Sequence, residues 1–483
     1  MEKNKLARNT TYFTAALMLQ KVLAFIYFWF ISNNLTTHEL GQYVFALSFA
    51  ALFSIIVDIG LSPVLTREAA KNPDKANDLL QNVLGLKLPL SILALITAWI
   101  FITLTAPSPE VIILVYASTI VMLLDSFALS FWVIMRSRHN LKYESIATIF
   151  VQLIIFTIGV ATLYTTREIL HLIFALIVAG LFNCLFVISL LKFKLKFSLK
   201  PKYNHEMIKA LLKIVPAFAL AGVFIKIYNA ADSVLLGYLD SELAVGYFAV
   251  PAKLVTALQQ IIPAAFAAAI FPLFSSYYAE SKEMLAKTFE KSFTYLTVVG
   301  IPLALGLVAV GPEVIAVVWP EFNAVVPTLF AMSLAIPFIF LAFPTGYLLN
   351  ACDMQKHNTI NRGIVMTIAI TLNIILIPRL SFFGAGITYL TTNIILLGLD
   401  MWWVRKVIKI NSKYLATTVS KTLLAGLAMF GVLYLAKDIL INVEQYQRLI
   451  LLVLIGALIY STVIIWTKVV SWREIFTMIK KQS

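Results

Sequence analysis

Apolar runs follow one another along this chain from end to end, separated by short polar segments; residues 111–124 and 449–466 are two of the plainest. A run of about 20 apolar residues matches the hydrocarbon thickness of a bilayer when helical. Each such segment must satisfy its own backbone hydrogen bonds in lipid, which a helix does internally. A membrane barrel would instead show alternating segments of about ten residues. The pattern predicts spans at roughly 10–32, 41–63, 83–105, 110–135, 145–165, 169–191, 213–239, 243–274, 291–311, 324–350, 361–378, 384–404, 414–436 and 446–468. The eighth is long and holds Pro251, Pro263 and Pro272, which predicts one kinked, tilted helix rather than two spans. The fold class expected is an all-α polytopic membrane protein of about 14 transmembrane helices.

Composition agrees. Of 483 residues 60% are hydrophobic and 13% charged, and the mean hydropathy of +0.90 excludes a single water-soluble core. The net charge of +14 would suggest nucleic acid in a soluble protein. Its distribution gives another reason. With the N-terminus inside, thirty of the 38 Lys and Arg residues fall in the tails and inner loops, four (Arg167, Arg379, Lys437, Arg448) in outer loops and four (Lys21, Lys87, Lys226, Lys253) within spans. That asymmetry is the positive-inside rule. It predicts a multi-pass protein of the cytoplasmic membrane with both termini in the cytoplasm, and no nucleic-acid partner. The start of the chain has a basic stretch before apolar sequence, as signal peptides do. The apolar run is too long and lacks a small-residue cleavage site, so it reads as an uncleaved first helix.

The two halves echo each other. Leu35-Thr-Thr-His-Glu-Leu-Gly-Gln-Tyr43 resembles Leu239-Asp-Ser-Glu-Leu-Ala-Val-Gly-Tyr247 between the first and second spans of each half. Polar elbows follow at 67–80 and 275–287, and a further pair at Met135–Tyr143 and Leu349–His357. Six helices separate equivalent points, so the repeats share one orientation. The expected organisation is a first lobe at 1–200, a second at 201–410, and two appended helices plus a cytoplasmic tail at 411–483. Prolines crowd the second half (Pro216, Pro251, Pro263, Pro272, Pro327, Pro337, Pro344), which predicts a more flexible second lobe or a statically kinked one.

On these features the chain resembles the multidrug/oligosaccharidyl-lipid/polysaccharide exporter superfamily, in its branch of O-antigen and capsule repeat-unit flippases. The residues that carry the likeness are Glu39-Leu-Gly-Gln-Tyr43, Ile59-Gly-Leu61 with Arg67-Glu68, Asp232-Ser-Val-Leu-Leu-Gly237 and Val245-Gly-Tyr-Phe-Ala249. The resemblance implies a V-shaped pair of lobes, alternating access, and a polyprenyl-diphosphate-linked oligosaccharide as cargo. It implies as partners that lipid, membrane lipids and enzymes of polysaccharide biosynthesis, with the chain acting as a monomer.

Charges in the apolar core are costly, so they face a cavity or a partner. Lys21 and Lys226 lie mid-span in the first helix of each half, at near-equivalent repeat positions. They are the expected diphosphate contacts, with Lys253 a third, because lysine is a mobile point charge for phosphate. The alternative for each is an ion pair within the membrane. Lys87 is near the inner end of its span and reads as a snorkelling lysine. Asp125 and Asp232 are candidates for ion coupling or intramembrane pairing, whereas Asp58 and Asp400 read as interfacial. Asn229, Tyr228 and Gln259 are candidate glycan contacts or helix–helix bonds.

The two cysteines, Cys184 and Cys352, make no metal spacing, and the five histidines no metalloprotease motif, so neither metal nor cofactor is expected. No inter-span segment is long enough for an extracytoplasmic catalytic domain, which weighs against a membrane glycosyltransferase. A drug/cation antiporter of the same superfamily remains the main alternative; an acidic cavity would favour it, and the basic first-helix residues argue for an anionic cargo. No enzymatic activity is expected.

Overall fold

A computed structural model of the chain describes residues 2–138 and 140–469. The tail cations Arg473, Lys480 and Lys481 lie outside the described residues. The helices in chain order are α1 (Glu2–Asn34), α2 (Thr37–Asp58), α3 (Leu61–Lys71), α4 (Ala76–Thr105), α5 (Pro109–Ser137), α6 (Lys142–Thr165), α7 (Ile169–Ser189), α8 (His205–Leu239), α9 (Glu242–Glu280), α10 (Lys282–Val318), α11 (Val326–Ala351), α12 (Gln355–Val407), α13 (Ser412–Ile439) and α14 (Gln445–Trp466). There are no strands among the described residues.

Thirteen helices among the described residues are long and apolar enough to cross a membrane. One of them, α12, holds two crossings. Its 53 residues would reach about 80 Å as a straight rod, far beyond a bilayer. The chain breaks at Ser381, whose backbone sits at φ 53° and ψ −141°, and doubles back. A Cβ on Gly384 would stand 2.6 Å from the Leu376 carbonyl oxygen, so the two arms meet with almost no loop between them. The fourteen expected spans are therefore present.

Helix starts follow local chemistry. Thr36 and Glu39 form a reciprocal capping box at α2, the Thr36 backbone N–H donating to Glu39 Oε2 at 2.8 Å. Asn204, Ser281 and Asn411 each accept a backbone N–H at the starts of α8, α10 and α13. The two elbows differ. After α2 the chain forms a separate amphipathic helix, α3, whose apolar face (Leu61, Val64, Leu65) is buried in the core. After the eighth span the corresponding residues continue α9 to Glu280, and the turn comes only at Ser281.

The chain divides into two compact units, Met1–Ala249 and Val250–Ser483. In the first, α2 packs on α4, α5 and α8, and α1 packs on α6. The core of this unit is built from α3, α4, α5, α7 and the start of α8 around Leu65, Leu80, Ile134 and Val187. In the second unit α10 packs on α11, α13 and α14, and α11 on α12.

One contact in the first unit bears directly on the internal echo. Gly41 of α2 lies on the backbone of Glu242, where a Cβ would come within 1.7 Å of the carbonyl oxygen. Gly246 of α9 lies in the same way on Thr37, with 1.9 Å to its carbonyl oxygen. Thr37 and Gly41 lie four residues apart in one helix as Glu242 and Gly246 do in the other, one residue out of the register in which 35–43 resembles 239–247. The contact is reciprocal, and only hydrogen fits at either glycine. Beside it Glu242, nearly inaccessible, accepts from Ser108 Oγ at 2.6 Å and faces His38 Nε2 at 3.1 Å.

Candidate functional site

α2 ends at Asp58, and the chain turns through Gly60, held at φ 85°, into α3. This turn points the Asp58 carboxylate into the protein. Asp58 Oδ1 accepts from the Ser62 backbone N–H at 3.2 Å, from Ser62 Oγ at 2.6 Å and from Lys87 Nζ at 3.0 Å. Lys87, fully buried on α4, donates further to the Ser126 carbonyl at 2.8 Å and to Ser126 Oγ at 3.0 Å on α5. Its three protons thus have partners, the condition under which a buried ammonium persists. The ion pair ties α2, α4 and α5 together.

These bonds correct one expectation. Lys87 does not snorkel, because its amine is turned inward to a carboxylate. Asp58 stands at the end of α2 but is 8% exposed, its carboxylate engaged within the protein. Asp400 is wholly buried in the second unit, accepting from Asn361 Nδ2 at 2.7 Å and Thr345 Oγ1 at 3.4 Å.

Lys226 reaches the same carboxylate from α8. Its Nζ donates to Ser54 Oγ at 3.0 Å, and it interacts electrostatically with Asp58 without closing a salt bridge. Two adjoining cavities meet at this point. The larger, about 500 Å³, is lined by Asp58, Ser62, Thr66, Arg136 and Lys226 among others. The smaller, about 240 Å³, is lined by Ser54, Asp58, Ser118, Asp125, Ser126 and Lys226. Arg136 is held by a bidentate bond to Glu144, with Nε to Oε2 at 2.9 Å. The hollow therefore offers a partly committed lysine, a braced arginine, hydroxyl donors and two carboxylates on apolar walls.

Of the residues singled out by sequence, the structure brings Lys226 and Asp125 to these cavities, with the Asp125 side chain accessible there. Lys21 is partly buried on α1, beside the Gln20–Gln152 bond to α6, and lines neither cavity. Tyr228, Asn229 and Asp232 share α8 with Lys226 and are also absent from both linings. Lys253 and Gln259 are partly buried on α9 in the second unit. Arg136 and Ser54 are participants that sequence reasoning passed over, and Asp58 is one it read only as interfacial. A signal existed for two of them: Ser54 and Asp58 are four residues apart in one predicted span, which aligns their polar groups on one helical face.

The hollow is enclosed by helices long and apolar enough to cross a membrane, and it brings charged groups together on apolar walls. Comparisons with known proteins give the chain a family. The polysaccharide biosynthesis protein family matches residues 6–278, more than half of the chain. The chain therefore belongs to that family. It is similar to the probable flippase AglR of Haloferax volcanii, 29% identical over 34% of this chain and 35% of that protein. It is similar to the uncharacterized membrane protein MJ1068 of Methanocaldococcus jannaschii, 26% identical over 58% of this chain and 56% of that one. The matches thus span about a third and just over half of these relatives' lengths. The fold matches the lipid II flippase MurJ in an inward closed conformation, with TM-score 0.77 and 16% identity over 93% of this chain and 97% of that chain. An inward-facing multidrug resistance MATE transporter matches with TM-score 0.67 and 15% identity, over 80% and 94%.

Proposed function

We propose that this protein flips a polyprenyl-diphosphate-linked oligosaccharide across the cytoplasmic membrane by alternating access, with both termini in the cytoplasm. The observation that carries the proposal is the placement of Lys226. Its amine faces a hollow of about 500 Å³, bonded to a serine and near a carboxylate that Lys87 already occupies. Such a lysine is free to exchange Ser54 for a phosphate oxygen. Arg136 adds a second cation in the same lining, and Lys21 and Lys253 are held as contacts made elsewhere along the path. Asp125 and Asp232 serve in coupling or pairing; Tyr228, Asn229 and Gln259 touch glycan. The polyprenyl tail stays in lipid while the polar head crosses. The lobes that rock are 1–200 and 201–410.

The test is transbilayer movement of a labelled lipid-linked oligosaccharide in proteoliposomes. Lys226→Ala lowers the rate at least tenfold with the protein still inserted and folded, and Lys226→Arg retains part of it. Unchanged transport by Lys226→Ala overturns the role of that residue.

A cation antiporter of the same superfamily is the second reading, and the carboxylates of Asp58 and Asp125 in the cavity linings favour it. Saturable binding of tetraphenylphosphonium, lost in Asp125→Asn, with no binding of inorganic diphosphate, decides for that reading.

A further inference from the structure

Residues 192–213, which run from the end of α7 into the first turns of α8, carry seven lysines against one acid, Glu206. A topology signal needs only the charge. The structure shows something more fixed. After the π-helical turn Leu190–Lys194, the chain runs extended across the start of α4 and is bonded to it repeatedly. Ser198 N–H donates to Asn77 Oδ1 at 3.0 Å, Lys202 N–H to the Gln81 carbonyl at 3.1 Å, and Asn204 N–H to Asn82 Oδ1 at 2.7 Å. Gly85 makes room for this strap: a Cβ there would stand 2.2 Å from the Lys202 carbonyl oxygen. Leu191 and Phe197 anchor it in the core, and Arg138 lies over the Phe197 ring at 5.1 Å. Between the anchors Lys196 is held at φ 55°, a conformation an unconstrained lysine rarely takes.

All seven lysines, five on the strap and its approach and Lys209 and Lys213 on the start of α8 that continues it, are exposed. Lys202 pairs with Asp78 and Lys194 with the Tyr143 hydroxyl and ring. Lys192, Lys196, Lys200, Lys209 and Lys213 have no ion-pair partner among the described residues. Phe193 and Tyr203, the aromatics among them, are 78% and 71% exposed. Exposed aromatics interleaved with unpaired lysines at the end of a membrane bundle match the headgroup level of a leaflet. Clustered cations there attract anionic lipid. We infer that the strap is a docking surface for anionic phospholipid headgroups of the inner leaflet. The side of the membrane rests on the topology proposed above; the lipid chemistry does not.

The experiment offers detergent-purified full-length protein an equimolar mixture of phosphatidylglycerol and phosphatidylcholine and counts retained lipid by native mass spectrometry. The wild-type chain retains phosphatidylglycerol several-fold over phosphatidylcholine, and high salt reduces the excess. Replacing Lys192, Lys196, Lys200, Lys209 and Lys213 by Gln abolishes it. Asn77→Ala with Asn82→Ala, which leaves the charge unchanged but releases the strap, lowers it at least twofold and serves if the lysine variant fails to fold. Lys226→Ala leaves it unchanged whatever its effect on transport, which separates this inference from the proposed function. Equal retention of the two lipids by the wild type overturns the inference. So does full selectivity in the released strap, or displacement of phosphatidylglycerol by soluble diphosphate.

Discussion

Lys87 Nζ stands 3.0 Å from Asp58 Oδ1, in a pocket that leaves the lysine no access to solvent. The pair is a brace for the neighbouring cavity, because Asp58 is also the carboxylate that Lys226 faces. Removing one member strands a charge. Lys87→Met is expected to destabilise the protein by about 3–5 kcal/mol. The double variant Asp58→Asn with Lys87→Met recovers much of that loss, since neither charge remains. Thermal unfolding of the purified protein in detergent, arranged as a double-mutant cycle, measures it; a strictly additive result refutes the coupling.

The glycines at the α2–α9 contact admit no side chain. Gly41→Ala and Gly246→Ala are each expected to push the two helix starts apart. Ser108, which bonds Glu242 beside the contact, reports on it. A Ser108→Cys probe is labelled at least threefold faster by a membrane-impermeant maleimide when either glycine is replaced. Unchanged labelling in both variants shows that the contact has another way to absorb the methyl group.

Cys352, just past the end of α11, is buried, and that burial pushes its thiol up to about 11. A raised value keeps the thiol protonated at neutral pH. At pH 7.5 the thiolate is about 3 parts in 10,000, against roughly a tenth for an ordinary thiol. Native protein is therefore expected to resist N-ethylmaleimide at this residue, with labelling quickening as pH rises and becoming fast after denaturation. Mass spectrometry of the modified peptide provides the check.

Ser381 occupies a backbone region that costs a non-glycine residue about 1–3 kcal/mol. Ser381→Gly is expected to raise the unfolding temperature, and Ser381→Val to lower it, because a β-branched side chain fits this conformation worst. A melting curve followed by intrinsic fluorescence gives both signs. A loss of stability in the glycine variant contradicts the assignment of strain.

The spans were legible because lipid imposes a length and an apolar composition on each helix independently of its neighbours. The break in α12 was legible too, from the interruption between residues 378 and 384. Lys226 announced itself as a charge in an apolar run. What could not be read was pairing. Asp58 and Lys87 are 29 positions apart on different helices, and depth along a helix says nothing about which neighbour a side chain faces. The equivalence of Lys21 and Lys226 was one of sequence register. The cavity follows tertiary packing instead, and places Arg136 in the lining with Lys226. The separate helix α3 was hidden for the same reason, since Gly60 and the packing of α8 decide where α2 stops.

The reciprocal seat of Gly41 on Glu242 and Gly246 on Thr37 has the form of an isologous interface, in which one patch meets a copy of itself. Two helix starts that meet through bare backbone at both arms have their separation fixed by the main chain and not by any side chain. A hinge needs room to open and close, and this joint has none: it sets one distance that the segments on either side must be built around.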